Sequence, residues 1–181
     1  MCSAPERIEG SRIALRFAVP DDAGYIYKLR MDPTYNRYLS PVTGTVNDQR
    51  CWLEGYKRRE AQGHEYYYVS ERLDDARSCG LVRLYNLSDD SFTWGSWIVD
   101  HNKPPKAALE SALLSFTIGF EHLGRVKAFV DVRHENKHAI AFYRRFGMQQ
   151  IDADEQNLYF EYERERFLLE KQARMNLLQE L

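Results

Sequence analysis

Apolar residues in this chain recur every second position in some stretches and every third or fourth in others. The first period marks strands and the second marks amphipathic helices. Ile13-Ala-Leu-Arg-Phe-Ala-Val19 reads as a strand. Pro20-Asp21-Asp22 then opens a helix to about Met31, with proline and acids suited to its first turn. Asp32-Pro33 breaks that helix, and residues 38–44 form a loop. Asn47 or Asp48 caps a second helix to about Glu60, with Trp52, Leu53 and Tyr56 among its apolar positions. Three strands follow, Glu65-Tyr-Tyr-Tyr-Val-Ser70, Gly80-Leu-Val-Arg-Leu-Tyr85 and Ser91-Phe-Thr-Trp-Gly-Ser-Trp-Ile-Val99. The turn residues Leu87-Ser-Asp-Asp90 pair the last two antiparallel.

The second half repeats the alternation. A helix runs from about Pro105 to Leu123 and stops at Gly124. Val126-Lys-Ala-Phe-Val-Asp-Val132 has the β-branched and aromatic content of a buried strand. Asn136 is placed to cap the next helix, on which Ala139, Ile140, Phe142, Tyr143 and Phe146 fall at helical spacing before Gly147 ends it. Residues 147–152 and 157–162 read as two further strands, and 164–180 as a terminal helix of alternating charge and leucine. The pattern predicts an α/β fold: one mixed sheet of about seven strands, helices on both faces, and an extra C-terminal helix. Residues 1–10 form a polar leader, 11–163 a single domain and 164–181 the appended helix.

Composition narrows the class. At 181 residues, 44% hydrophobic and 29% charged, the chain has ordinary globular content and enough length for one sizeable core. A net charge of −2 gives no reason to expect nucleic acid or a membrane surface as partner. With no signal-type leader and no long apolar span, the expected location is cytoplasmic. Cys2, Cys51 and Cys79 lack zinc-ligand or CxxC spacing and read as ordinary thiols. His101, His134 and His138 have no cysteine or carboxylate set beside them, so no metal is expected. No Gly-x-Ser-x-Gly elbow is present.

The run Asn136-x-x-Ala139-Ile140-x-x-Tyr143-x-x-x-Gly147-Met148 resembles the C-terminal half of the GCN5-related N-acetyltransferase (GNAT) superfamily, and the element order resembles it throughout. The resemblance implies acetyl-CoA as co-substrate and direct transfer to an amine. It places a phosphate-binding loop between the fourth strand and third helix, where this chain has Lys103-Pro104-Pro105-Lys106-Ala107-Ala108 in place of the superfamily's glycine-rich run. Helix N-termini suit that task because free N–H groups and the positive dipole end point outward. Lys103, Lys106, Ala107, Ala108 and Leu109 are therefore the expected pyrophosphate contacts, the prolines having no N–H to give. Ile98, Val99 and Asn136 are the expected partners of the pantetheine arm, with Tyr143 beside the thioester.

By the same resemblance, Tyr143 is the acid that protonates the departing thiolate, or else a core tyrosine with a satisfied hydroxyl. Asp131 is either the base that deprotonates the amine or a structural carboxylate. Tyr38, Tyr66, Tyr68, Trp94 and Trp97 are expected around the acceptor, core packing being the alternative for the aromatic strand residues. Trp94 and Trp97 lie three apart and fall on opposite faces of an unbulged strand, although Gly95 marks a place where a bulge fits. The N-terminal stretch resembles two subgroups, ribosomal-protein N-terminal acetyltransferases and enzymes acting on nucleotide-linked amino sugars. The aromatic residues point to a small hydroxylated amine. A non-catalytic acyl-CoA-binding fold is the remaining alternative, and the terminal helix is either a homodimer contact or a packed cap.

Overall fold

The computed structural model describes residues 3–180, so the Cys2 thiol and residue 181 lie outside it. The strands are β1 (Arg7–Glu9), β2 (Ile13–Phe17), β3 (Tyr66–Arg72), β4 (Ser78–Tyr85), β5 (Ser91–Val99), β6 (Lys127–Arg133), β7 (Gln149–Ala153) and β8 (Asn157–Glu163). The helices are α1 (Ala23–Met31), α2 (Pro33–Asn36), α3 (Val46–Ala61), α4 (Ala107–Thr117), α5 (Lys137–Arg145) and α6 (Arg164–Gln179). One eight-stranded sheet has the order β1-β2-β3-β4-β5-β6-β8-β7. Only the β5–β6 pair is parallel; all others are antiparallel.

The eighth strand comes from the leader. Arg7–Glu9 pairs with β2, although Ile8 is its one apolar residue and no hydrophobic period announces it. Charge holds it instead, because Arg7 and Arg16 both reach Glu71, at 2.8 and 2.5 Å. The cap of α3 also differs from expectation. Thr45 takes that place, its hydroxyl accepting from the Asp48 amide while Asp48 accepts from the Thr45 amide at 2.7 Å, which closes a reciprocal capping box.

The two faces of the sheet are covered unequally. α4, α5 and α6 pack on one face over Tyr68, Val82, Trp94, Val130 and Phe160. α1 and α3 cover part of the other, over Tyr67, Val69, Leu81 and Ile98. Among the described residues no helix lies over the second face of β6 and β8, so Asp131 and Tyr159 stand open there.

A bulge in β5 sets the geometry of the centre. Arg83 pairs with Gly95 and Leu81 with Ile98, so Ser96 and Trp97 together face Val82. Ser96 absorbs the extra residue with φ of 49°. The insertion turns Trp97 to the same face as Trp94, and their ring centres lie 5.0 Å apart. The bulge that Gly95 suggested is present, so the opposite-face placement of an unbulged strand does not apply to the two tryptophans. Each indole N–H then meets a serine on α4: Trp94 donates to Ser115 Oγ at 2.8 Å and Trp97 to Ser111 Oγ at 3.0 Å. Gly80 makes the bulge fit, because a Cβ at that position would overlap the Ile98 carbonyl oxygen.

The terminal helix buries Phe167, Arg174 and Leu178. The Arg174 guanidinium donates to the Phe146 carbonyl at 2.7 Å and the Tyr162 hydroxyl at 3.0 Å, and pairs with Glu170. Its last carbonyls are also bound from outside, since Arg12 donates to Leu178 O at 3.0 Å and Lys106 Nζ to Leu177 O at 2.6 Å. Cations at a helix C-terminus are favourable both as donors and against the dipole.

Removing the Ser115 hydroxyl leaves the buried Trp94 N–H without its acceptor. Ser115→Ala should therefore cost about 1–3 kcal/mol, read as a lower urea midpoint at unchanged slope.

Candidate active site

β5 and β6 pair over Ser91–Lys127, Phe92–Ala128 and Thr93–Phe129 and then separate. Beyond Thr93 the bulge carries β5 toward α4, while β6 remains paired with β8 along its length. The sheet therefore has a wedge-shaped slot at its centre, and the β6-facing edge of β5 from Trp94 to Val99 has no strand partner. Unpaired backbone groups at such an edge can pair with an extended ligand.

Tyr143 reaches this slot from the α5 side. Its ring is buried, edge-on to Trp94 at 6.0 Å and to Phe160 at 5.8 Å, and Trp97 lies 6.5 Å away. The hydroxyl has no hydrogen-bond partner among the described residues. Burial pushes the phenol above its usual value, and the charge of Asp131 and the nearby Tyr85 push it further. Asp131 approaches from the open face, on β6 across from Tyr159. It is exposed, and with Tyr85, Thr93 and Tyr159 it lines a hollow of about 370 Å³. Burial and then Asp131 raise Tyr85 as well. A carboxylate on one side of the slot and a protonated phenol on the other can take a proton from an amine and give one to a leaving group.

The Lys103–Ala108 segment meets expectation only in part. Ala108 and Leu109 have amides with no protein acceptor, at the N-terminus of α4, and Lys103 is exposed beside them. Two residues are otherwise engaged. The Ala107 amide closes a turn onto Pro104 O at 3.2 Å. Lys106, in the left-handed region at φ of 63°, turns its ammonium to the end of α6. Asp100 shapes the loop, accepting from the Asn102 amide at 2.7 Å and from the Tyr25 hydroxyl at 2.8 Å. Of the β5 pair, Ile98 packs toward α1 and α3 and Val99 toward Ala107, which leaves their backbone on the open edge. Asn136 caps α5 through Oδ1, which accepts from the Ala139 amide at 3.2 Å, and its NH2 has no protein partner.

The acceptor-side expectations need correction. Tyr66 and Tyr68 lie on the helix-covered face with α4 and α5; Tyr68 is fully buried and donates to Pro5 O at 2.9 Å. Trp94 is core, and Trp97 borders the slot against Phe142 at 4.9 Å. Tyr38 packs under Arg37 and lines none of the hollows near Asp131. The residue between the two tyrosines, Tyr67, faces α1 and α3. It shares a hollow of about 350 Å³ with Arg30, Asp48, Trp52 and Arg83. Of the histidines, His101 contacts the Tyr35 hydroxyl at 3.3 Å and His134 contacts Asp154 O at 2.8 Å.

The acetyltransferase (GNAT) domain model matches residues 12–149. The structure of apo FdhC, a nucleotide-linked sugar GNAT, superposes with a TM-score of 0.86 at 35% identity, covering 93% of this chain and 97% of that one. The chain belongs to the GNAT family. It is thereby an N-acetyltransferase, with the family's fold and an eight-stranded sheet. More distant GNAT structures share the fold. Ribosomal-protein-S5-alanine acetyltransferase from Vibrio fischeri gives a TM-score of 0.74 at 11% identity, covering 87% of this chain and 96% of that one. Spermidine N-acetyltransferase from Vibrio cholerae, in complex with CoA and spermine, gives 0.75 at 18% identity, covering 88% and 99%. No curated protein matches the chain significantly in sequence. No helix among the described residues is long and apolar enough to cross a membrane.

The helix cap made by Asn136 and the pantetheine contact expected of its NH2 separate by substitution. Asn136→Asp keeps the capping oxygen and should hold the melting temperature, yet it removes the free NH2 and should raise the acetyl-CoA KM about tenfold. Asn136→Ala should also lower stability by about 1 kcal/mol in thermal unfolding.

Proposed function

We propose that this chain transfers the acetyl group of acetyl-CoA directly to the primary amine of a nucleotide-linked amino sugar. The observation that carries the acceptor assignment is the 35% identity with a nucleotide-linked sugar GNAT over nearly the whole of both chains. The slot between β5 and β6 supports direct transfer, because it lets the thioester enter from the α4–α5 side and the amine from the open face.

In this mechanism Asp131 accepts the amine proton, through one water where its short side chain falls short. The freed nitrogen lone pair attacks the thioester carbonyl, and backbone N–H groups on the open edge of β5 receive the developing oxyanion. The C–N bond forms first. The tetrahedral carbon then collapses with loss of the C–S bond as the Tyr143 hydroxyl protonates the departing sulfur. The second amine proton leaves through water and restores the phenol. The Ala108 and Leu109 amides and Lys103 hold the pyrophosphate at the start of α4, and the Asn136 NH2 steers the pantetheine arm.

Thiol release from acetyl-CoA with a panel of amines tests the reading. Nucleotide-linked amino sugars should turn over, and turnover confined to polyamines or peptide N-termini would refute it. Tyr143→Phe should lower kcat by about 10²- to 10⁴-fold with little change in acetyl-CoA KM. Because the phenol is raised above its usual value near 10, it remains protonated through the range in which the amine is freed. The wild-type rate should therefore rise with pH and show no fall due to Tyr143 below about pH 10. A descending limb below about pH 10 that disappears in Tyr143→Phe would count against the raised phenol, and a Tyr143→Phe variant with wild-type kcat would count against the acid role. Asp131→Asn should displace the rising limb.

A further inference from the structure

We infer that Arg83 and Arg30 clamp the diphosphate of the acceptor in the hollow between α1 and α3, and that the sugar lies over Gly95 with its amine at Asp131. This rests on the nucleotide-linked acceptor proposed above. The argument starts from charge. The chain as a whole carries −2, yet the two guanidiniums lining this hollow face a single carboxylate, Asp48. Asp48 is already engaged in the cap of α3. Arg30 has no carboxylate partner among the described residues, and its Nη2 donates to the Ser40 carbonyl at 2.8 Å. Arg83 pairs with Glu65, but Arg59 pairs with the same carboxylate, so two cations share one anion. Burial pushes Glu65 up, and these two guanidiniums outweigh it and hold the carboxyl below its usual range. Tyr67 lies between the two arginines, its phenol raised by burial while both cations act against that shift. The floor is thus a phenol flanked by two guanidiniums, a donor set suited to adjacent phosphates.

Geometry connects this floor to the slot. Arg83 lies over the Tyr85 ring at 4.9 Å and also lines the adjoining hollow with Tyr85, which in turn lines the one holding Asp131. Arg83 pairs across to Gly95 on β5, and the β5–β6 register carried on past Thr93 brings Gly95 level with Asp131. Strand spacing puts at least about 9–10 Å between the β4 and β6 backbones. A pyranose with its amine at one end and a diphosphate at the other fits that interval once the arginine side chain reaches inward. The position between them has no side chain, and a Cβ there would stand 3.0 Å from the Tyr85 hydroxyl oxygen. Beside the hollow, half-exposed Trp52 packs against Tyr67 at 6.1 Å and borders the space left for the nucleoside.

The test is calorimetric titration of dTDP and UDP into the full chain, with thymidine and uridine as phosphate-free controls. Wild type should bind the diphosphates and bind the nucleosides far more weakly. Arg83→Gln and Arg30→Gln should each weaken diphosphate binding about 10- to 100-fold. Both should raise the acceptor KM while leaving acetyl-CoA KM unchanged, and Arg83→Lys should recover part of the loss. Arg30→Gln carries the test if the Arg83 variant misfolds, since the Arg30 guanidinium pairs with no carboxylate among the described residues. Wild-type diphosphate affinity in both variants, with nucleotide-sugar turnover intact, would overturn the clamp and leave the acceptor reading standing. A wild-type chain that binds neither diphosphate and acetylates only other amines would overturn both.

Discussion

Adjacent strands ordinarily hold one another along their length, because each unpaired N–H or C=O that is buried costs free energy. β5 and β6 hold one another for three residue pairs and then part, and the centre of this protein depends on that separation. β5 is held away by its own side chains: with one extra residue at Ser96, two indoles share a face and bond to Ser111 and Ser115. Without the bulge only one of them could. The opening brings a tyrosine from the helix-covered face and an aspartate from the open face to the same slot, which a continuous sheet would keep apart.

The two groups differ in solvation as well as in face. Tyr143 sits among aromatic rings, where its neutral form is stabilised, and Asp131 stands in a solvated hollow under no helix. On the proposed mechanism this gradient across one sheet suits one group to give a proton and the other to take one, with no charged side chain buried at the slot. α1 and α3 reach only as far as Leu81 and Ile98, which leaves the face of β6 and β8 beside Asp131 as an open hollow.

Much of this was legible in the sequence, and the gaps have physical causes. The run from Asn136 to Gly147 declares its cap, its apolar stripe and its stop in local terms, and each is where the pattern puts it. Period-two reading failed to orient β3 because Tyr66, Tyr67 and Tyr68 are aromatic in succession, so alternation does not mark an inner face. Tyr67, Arg83 and Trp52 were missed as a group for that reason, although an exposed tryptophan on an otherwise polar helix offered a clue. The bulge at Ser96 was suggested by Gly95, yet its effect on the faces of both tryptophans required the partner strand. β1 has one apolar residue and is held by ion pairs to side chains far along the chain. Lys106 was read as a phosphate ligand because nothing nearby shows that a helix some seventy residues later takes its charge.

That diversion of Lys106 alters how the start of α4 can respond to its surroundings. A phosphate loop built on mobile lysines loses much of its attraction as salt rises, since exposed charges are screened within about 8–10 Å. Here one of the two loop ammoniums is fixed on the carbonyls that end α6, and Ala108 and Leu109 offer neutral amides in a fixed orientation. On the proposed reading, recognition at this point is directional more than ionic. The chain's grip on a phosphate group should depend on how firmly α6 is seated and only weakly on the ionic strength around it.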